Sequence, residues 1–365
     1  MKLGFGFYSH MLTPENFAFA RQAGATHAVV HLVDYFRQGD GSGNTRNDQP
    51  TGDLEGWGQA GDPDRLWTLD ELLAIKSRLN DAGLVWEAIE NFDPAHWFDV
   101  LLDGPRKARQ LEGLKQMIRV VGEAGIPVIG YNFSLAGVCG RIKGPFARGG
   151  ALAVGMSGPV DTPLPLGMVW NMRYGAEPPS GTQPPVSSDE LWRRLGDFLD
   201  ACLPVAESAG VRLAAHPDDP PMPTVRGTPR LVYQPALYQR LLDLHPSPAN
   251  ALEFCLGTLA EMTEGDLYET VEQYSRQNAI AYVHFRNVRG KVPHYHEAFV
   301  DDGDIDMPRV LSILHRNGFS GVLIPDHAPQ MTCEAPWHAG MAYAMGYMRA
   351  ALDALPEPDR HPPDP

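Results

Sequence analysis

The chain predicts an α/β protein, a single (β/α)8 barrel with long loop insertions at its C-terminal face, and three observations lead there. First, one punctuation recurs: a helical pattern, a glycine, then a short apolar run of strand length. It stands as Ala23-Gly24 before His27–Leu32, Ala82-Gly83 before Leu84–Glu90, and Ala124-Gly125 before Ile126–Phe133. It returns as Ala209-Gly210 before Val211–His216 and Asn317-Gly318 before Ser320–Asp326. Glycine takes the left-handed conformation that ends a helix at no steric cost, so each repeat reads as one βα unit. Second, Leu3–Tyr8, Ala251–Cys255 and Ile280–His284 bring the strands to eight, the number that closes a parallel barrel. Third, an open doubly wound sheet would carry a glycine-rich fingerprint after its first strand, and none follows Tyr8.

Taken in order, the helices are expected at 14–23, 69–81, 108–123, 188–208, 232–244, 265–276, 307–316 and 336–354. Thr13-Pro14-Glu15 supplies an N-cap followed by proline at the first helical position, where its missing N–H costs nothing. Ser187-Ser-Asp-Glu190 offers a capping box to the fourth helix. A bare barrel takes about 250 residues, whereas the chain has 365, so the excess must be inserted. Two insertions are visible, near 37–66 after the second strand and near 138–186 after the fourth. Both leave from the C-terminal mouth, where loops build active sites, and Cys139–Val186 is expected to close over the pocket or a neighbouring subunit. Residues 1–354 thus form the barrel, and the proline-rich 355–365 a flexible tail.

Composition excludes several classes. The chain is 43% hydrophobic and 21% charged, as soluble globular proteins are. No run approaches the ~18–20 apolar residues of a membrane span, and no secretory leader pattern opens the chain. Net charge is −15 with no basic block, which argues against nucleic acid. An acidic surface also repels a small anion at long range, so a pocket for one needs its own cations. The four scattered cysteines make no disulfide framework; a reducing cytoplasm is the expected home.

One chemically distinctive residue ends each of the last four strands: His216, Cys255, His284 and Asp326. Consecutive strand ends of a parallel barrel sit side by side around one mouth. These four therefore form a candidate first shell for a divalent metal, with positions left open for substrate. Around them lie Glu90 and Asn132 at the ends of the third and fourth strands, and Asp219 in the stiff Asp218-Asp219-Pro220-Pro221 turn. Arg286-Asn287 follows His284, and Arg286 is suited to clamping a carboxylate with two N–H groups. His296 lies on the loop after the seventh strand, and His327, directly after Asp326, is placed for general acid–base work.

His216-Pro-Asp-Asp-Pro-Pro221, Tyr131-Asn-Phe133, Phe254-Cys-Leu-Gly-Thr258, His284-Phe-Arg-Asn287, Tyr295-His-Glu297 with Asp302–Met307, and Pro325-Asp-His327 together resemble the D-mannonate dehydratase family. Gly104-Pro-Arg106 and Lys115–Arg119 fit as well. The resemblance covers nearly the whole chain from the third strand onward and is weaker before it. It implies a (β/α)8 enzyme, a hydro-lyase that dehydrates D-mannonate to the 2-keto-3-deoxy acid. It also implies Mn2+ held by His216, Cys255, His284 and Asp326. Two places depart from the family pattern. Ile324 stands where the family has an arginine, and in 333–343 either His338 or Met341 falls at a catalytic tyrosine's place. His327 or His338 is then the expected general acid, beside Asp326, and the preferred substrate is expected to differ from D-mannonate. A metal-dependent sugar isomerase or epimerase is the alternative, because it uses the same enediolate logic. The partner is a small sugar acid or sugar derivative, and a homo-oligomer is expected.

Overall fold

The computed structural model describes residues 1–37, 49–51, 56–175 and 180–356. Parts of both insertions and of the expected tail thus lie outside the described residues. Eight parallel strands close into a barrel: β1 (Lys2–Tyr8), β2 (His27–His31), β3 (Val85–Glu90), β4 (Val128–Tyr131), β5 (Arg212–Ala215), β6 (Asn250–Cys255), β7 (Ile280–His284) and β8 (Val322–Ile324). Each pairs with its sequence neighbours, and β8 returns to β1 through Lys2↔Val322 and Leu3↔Leu323. The helices of the eight units are α1 (Pro14–Gln22), α2 (Leu69–Asp81), α3 (Lys107–Glu123), α4 (Ser188–Ala209), α5 (Pro235–Leu244), α6 (Leu267–Arg276), α7 (Met307–Arg316) and α8 (Pro336–Asp353). They match the expected positions to within three residues at any end.

Local chemistry explains the boundaries. The Thr13 hydroxyl accepts from Asn16 N with Pro14 at the first helical position, and Thr68 with Glu71 closes a full capping box on α2. At α4, Ser187 accepts from Glu190 N as expected. The Glu190 carboxylate, however, is taken by Arg193 and Arg194. The main core lies between the barrel and its helices, while Val29, Ala88, Ala214, Ala251, Tyr282 and Ile324 belong to a separate cluster on the barrel strands. Gly130 on β4 faces two groups there: a Cβ would fall 2.4 Å from Glu253 Oε2 and 2.3 Å from the Tyr282 hydroxyl. Only glycine lets these long side chains into the barrel.

The chain holds more strands than the eight expected. Residues 142–147 and 151–157 form an antiparallel hairpin whose second strand pairs with His294–Ala298, which in turn pairs with Asn287–Lys291. The expected loop after β7 is therefore a hairpin, joined to the insertion after β4 in one four-stranded sheet. Val138, Arg141 and Trp170, from that same insertion, line the cavity at the mouth.

Candidate functional site

The ends of β5, β6 and β7 converge. His216, Cys255 and His284 each offer a ligand atom, and these atoms lie within 4.8 Å of one another. The chemistry of the set suits a divalent metal. Burial alone would raise the Cys255 thiol, but Arg286 and His216 outweigh it and hold the thiol well below its usual range, as thiolate. Cys255 Sγ accepts from Arg286 Nη2 at 3.3 Å, from the Thr258 hydroxyl at 3.2 Å and from Thr258 N at 3.5 Å. His216 Nδ1 stands 2.6 Å from the Pro217 carbonyl oxygen. A proton on Nδ1 satisfies that contact and leaves Nε2 as the donor. Burial opposes a charge on His216, yet Glu253 and Cys255 lift it to about 9, so binding a metal must displace a proton. His284 Nε2 lies 3.3 Å from Glu90 Oε2 and 3.1 Å from Glu253 Oε1. That fixes the tautomer with Nδ1 turned to the cluster, 3.5 Å from Asp326 Oδ2. Asp326 stands at the edge of the group, touching His284 but outside the compact three. Its backbone is left-handed, φ 59°, a conformation aspartate tolerates better than most residues.

Arg286 sits beneath this cluster and not in the cavity. It is 2% exposed and is surrounded by Asp219 Oδ2 at 2.8 Å, Glu297 Oε1 at 2.9 Å, Asp326 Oδ2 at 3.4 Å and Glu261 Oε1 at 3.5 Å. Gly257 makes room for it: a Cβ there would lie 2.5 Å from Arg286 Nε. The expected substrate clamp is thus a buried counter-ion that sets the charge of its neighbours. Burial would raise Glu297, but His327, Arg286 and Arg141 hold it down at about 2. Burial acts to lower His327, but Asp326 and Glu297 raise it. The His327 ring is held at both ends, Nδ1 3.0 Å from Glu297 Oε1 and Nε2 3.1 Å from Asp326 Oδ1.

The cavity above the donors is lined by Glu90, Asn132, Asp219 and His327 among the expected residues. Asn132 donates from Nδ2 to the Pro217 carbonyl at 3.1 Å and accepts from Trp170 Nε1 at 3.1 Å. Three expected residues are placed elsewhere. Asn287 staples the loop after β7, donating to the carbonyls of Val300 and Ile305 at 3.0 Å each. His296 lies beside Phe146 on the outer hairpin, ring centroids 6.2 Å apart. The His338 ring packs edge-on to Phe19 at 4.8 Å and does not line the cavity. Trp337 and Met341, one helical turn apart on α8, face the site in its stead. With Gly6 and Ile324 they line a smaller cavity beside Asp326 and His327.

Sequence reasoning missed Glu253, whose carboxyl burial and Glu90 raise to about 8, and also Tyr8, His31, Tyr35 and Arg141 in the wall. Glu253 carried a signal: it lies two residues before Cys255, hence on the same face of an otherwise apolar strand.

Barrel, clustered strand-end side chains able to hold a metal and the adjoining cavity define a (β/α)8 enzyme with its site at the C-terminal mouth. The sequence profile of the D-mannonate dehydratase (UxuA) family matches residues 1–139 and 182–357. The chain is 32% identical over 280 residues to mannonate dehydratase 2 of Halalkalibacterium halodurans, covering 72% of this chain and 79% of that protein. It is 33% identical over 277 residues to the mannonate dehydratase of Streptococcus pneumoniae, covering 72% and 75%. The crystal structure of mannonate dehydratase from Streptococcus suis serotype 2 superposes with a TM-score of 0.73 at 24% identity, over 97% of this chain and 93% of that one. An L-ribulose 3-epimerase superposes at 0.54 with 16% identity, over 96% and 94%; both are likenesses of fold. The chain belongs to the D-mannonate dehydratase family. The family match begins at residue 1 and so includes the N-terminal strands.

Proposed function

We propose that the protein removes water from an aldonate, D-mannonate or a close relative, to give the 2-keto-3-deoxy acid, with Mn2+ as its metal. The observation that carries this reading is the convergence of a buried thiolate and two tautomer-fixed histidines beside the His327-lined cavity, in a chain of this family. His216, Cys255 and His284 would hold the metal, with Asp326 joining from the end of β8. When bound, the dication stabilises negative charge that develops as the proton next to the carboxylate leaves. Glu297 and Asp326 shift His327 toward its protonated form and align its ring, and in that form it can donate to a departing hydroxyl. Ile324 adds neither charge nor hydrogen bond to the side of the cavity, so D-mannonate is expected to turn over more slowly than a related substrate.

A cytoplasmic homo-oligomer completes the reading. The free cysteines Cys139, Cys202 and Cys255 are buried, and among the described residues no helix is long and apolar enough to cross a membrane. Sedimentation of the purified protein tests the assembly. The function is tested by screening the Mn2+-loaded protein against aldonic acids and free sugars. A 2-keto product from an aldonate, lost on chelation, is expected. Interconversion of free sugars with no aldonate product would overturn dehydration in favour of isomerisation.

A further inference from the structure

The wall of the cavity contains a guanidinium. Among the described residues lining it, Arg141 carries the only guanidinium or ammonium group; Arg286 lies below, enclosed by carboxylates. Three acids, Glu90, Asp219 and Asp326, share that wall. With a net charge of −15 on the chain, an anionic substrate needs positive charge inside the pocket. Arg141 is 6% exposed. Its Nη2 donates to Asp219 Oδ2 and its Nη1 to Gln49 Oε1, while its Nε meets no hydrogen-bond partner among the described residues. Each Nη also carries a second hydrogen.

The surroundings hold this fork without depending on it alone. Asp219 is gripped independently by Arg286 Nη2 at 2.8 Å, the Thr258 hydroxyl at 3.1 Å and the Tyr295 hydroxyl at 3.3 Å. Gln49 is anchored from its other side, its Nε2 donating to Glu297 Oε1 at 2.8 Å and Oε2 at 2.9 Å. Asp219 and Gln49 thus orient the guanidinium plane as fixed neighbours, which is what planar recognition of a carboxylate requires.

We infer that Arg141 is the carboxylate clamp of the cavity, the residue that selects an anionic sugar acid over its uncharged counterpart. The inference rests on the aldonate reading above and assigns the role that the sequence pattern offered to Arg286. Loss of a charge-assisted hydrogen bond costs ~1.5–3 kcal/mol, or roughly 10–100-fold in affinity.

The test measures binding of D-mannonate and of D-mannonamide, its neutral isostere, to the Mn2+-loaded wild type, Arg141→Gln and Arg141→Lys, with the metal content of each. The wild type should prefer the anion. Arg141→Gln should lose that preference by about 10–100-fold while binding the amide nearly as before. Arg141→Lys, which keeps the charge without the fork, should fall between. An unchanged anion-to-amide ratio in the variants, or no preference in the wild type, overturns the clamp. Equal weakening of both ligands, with metal lost, makes Arg141 a structural counter-ion to Asp219 and also overturns it; Arg141→Lys supplies the ratio where Arg141→Gln does not fold. If the anion preference depends on Arg141 but no aldonate yields a 2-keto product, the clamp stands and the dehydratase reading falls.

Discussion

The two halves of the barrel do different work around one cavity. Strands β5 to β8 lead into His216, Cys255, His284 and Asp326, packed over the buried Arg286 with its carboxylate partners. Strands β1 to β4 lead into Tyr8, His31, Glu90 and Asn132, and their half of the wall is largely aromatic. Tyr8 and His31 lie 4.9 Å apart, and Tyr35 stacks on Trp170 at 5.6 Å. One half holds its side chains through a dense network of charge around Arg286; the other shapes space mainly through rings, with the Glu90 carboxylate 3.4 Å from His31 Nε2. Substitutions should therefore cost far more in the first half than in the second.

The largest expected effect is at the donors. Cys255→Ala should cut the bound metal sharply and turnover by on the order of 10³-fold, the loss of several kcal/mol of metal-supplied charge stabilisation. Elemental analysis beside kinetics checks it, and equal metal content in variant and wild type would remove Cys255 from the shell. Metal affinity should also weaken as pH falls below about 9, where His216 takes up the proton that the metal displaces.

Next is Arg286→Met, which strands Asp219, Glu297 and Asp326 together in a buried site. Removing one member of such a cluster costs about 3–5 kcal/mol, read as a lower denaturant midpoint. A variant as stable as wild type would mean that the carboxylates neutralise one another by taking up protons. His327→Gln should lower kcat by about 10²–10⁴-fold with metal content unchanged, separating the proton carrier from the donors.

The aromatic half provides the contrast. Tyr35→Phe removes contacts of 3.1 Å to His31 Nδ1 and 3.0 Å from Asn91 Nδ2. A cost of about 1 kcal/mol is expected, with metal content intact; a loss rivalling that of Arg286→Met would break the comparison. The smallest effect lies outside both halves. Burial in α4 pushes the Cys202 thiol up to about 12. The folded state thus keeps a proton that the unfolded chain releases near its ordinary value. Stability from this group is intact below about 9 and declines as pH rises toward about 12. Cys202→Ala should flatten that part of the curve, measured by thermal unfolding against pH.

These contrasts follow what each kind of signal can report. A helix ending at glycine before an apolar run marks five of the barrel strands, and the short apolar runs Leu3–Tyr8, Ala251–Cys255 and Ile280–His284 mark the rest; both are local signals, so the barrel strands and the eight main helices were legible. Strand direction then carried His216, Cys255 and His284 to one mouth, because parallel strands all end on the same side. Facing was harder. His296 and Glu297 are adjacent on one strand, so their side chains point to opposite faces. The alternation sent Glu297 to Arg286 and His327 and turned His296 outward. On α8 the apolar pair Trp337 and Met341 occupies the inward face, and His338, one position of helical rotation away, meets Phe19.

The sequence by itself determined the barrel, its helix ends and the convergence of His216, Cys255 and His284 at one mouth, because those depend on residue type, period and chain direction. The tertiary structure alone decided that Arg286 is buried beneath the donors while Arg141, from an insertion with no regular period, reaches the cavity. It alone joined the two loop hairpins into one sheet and set Asp326 at the rim of the donor group. Each of these is a contact between segments far apart in the chain, chosen by which charges and surfaces can be buried together and leaving no periodic trace in either segment.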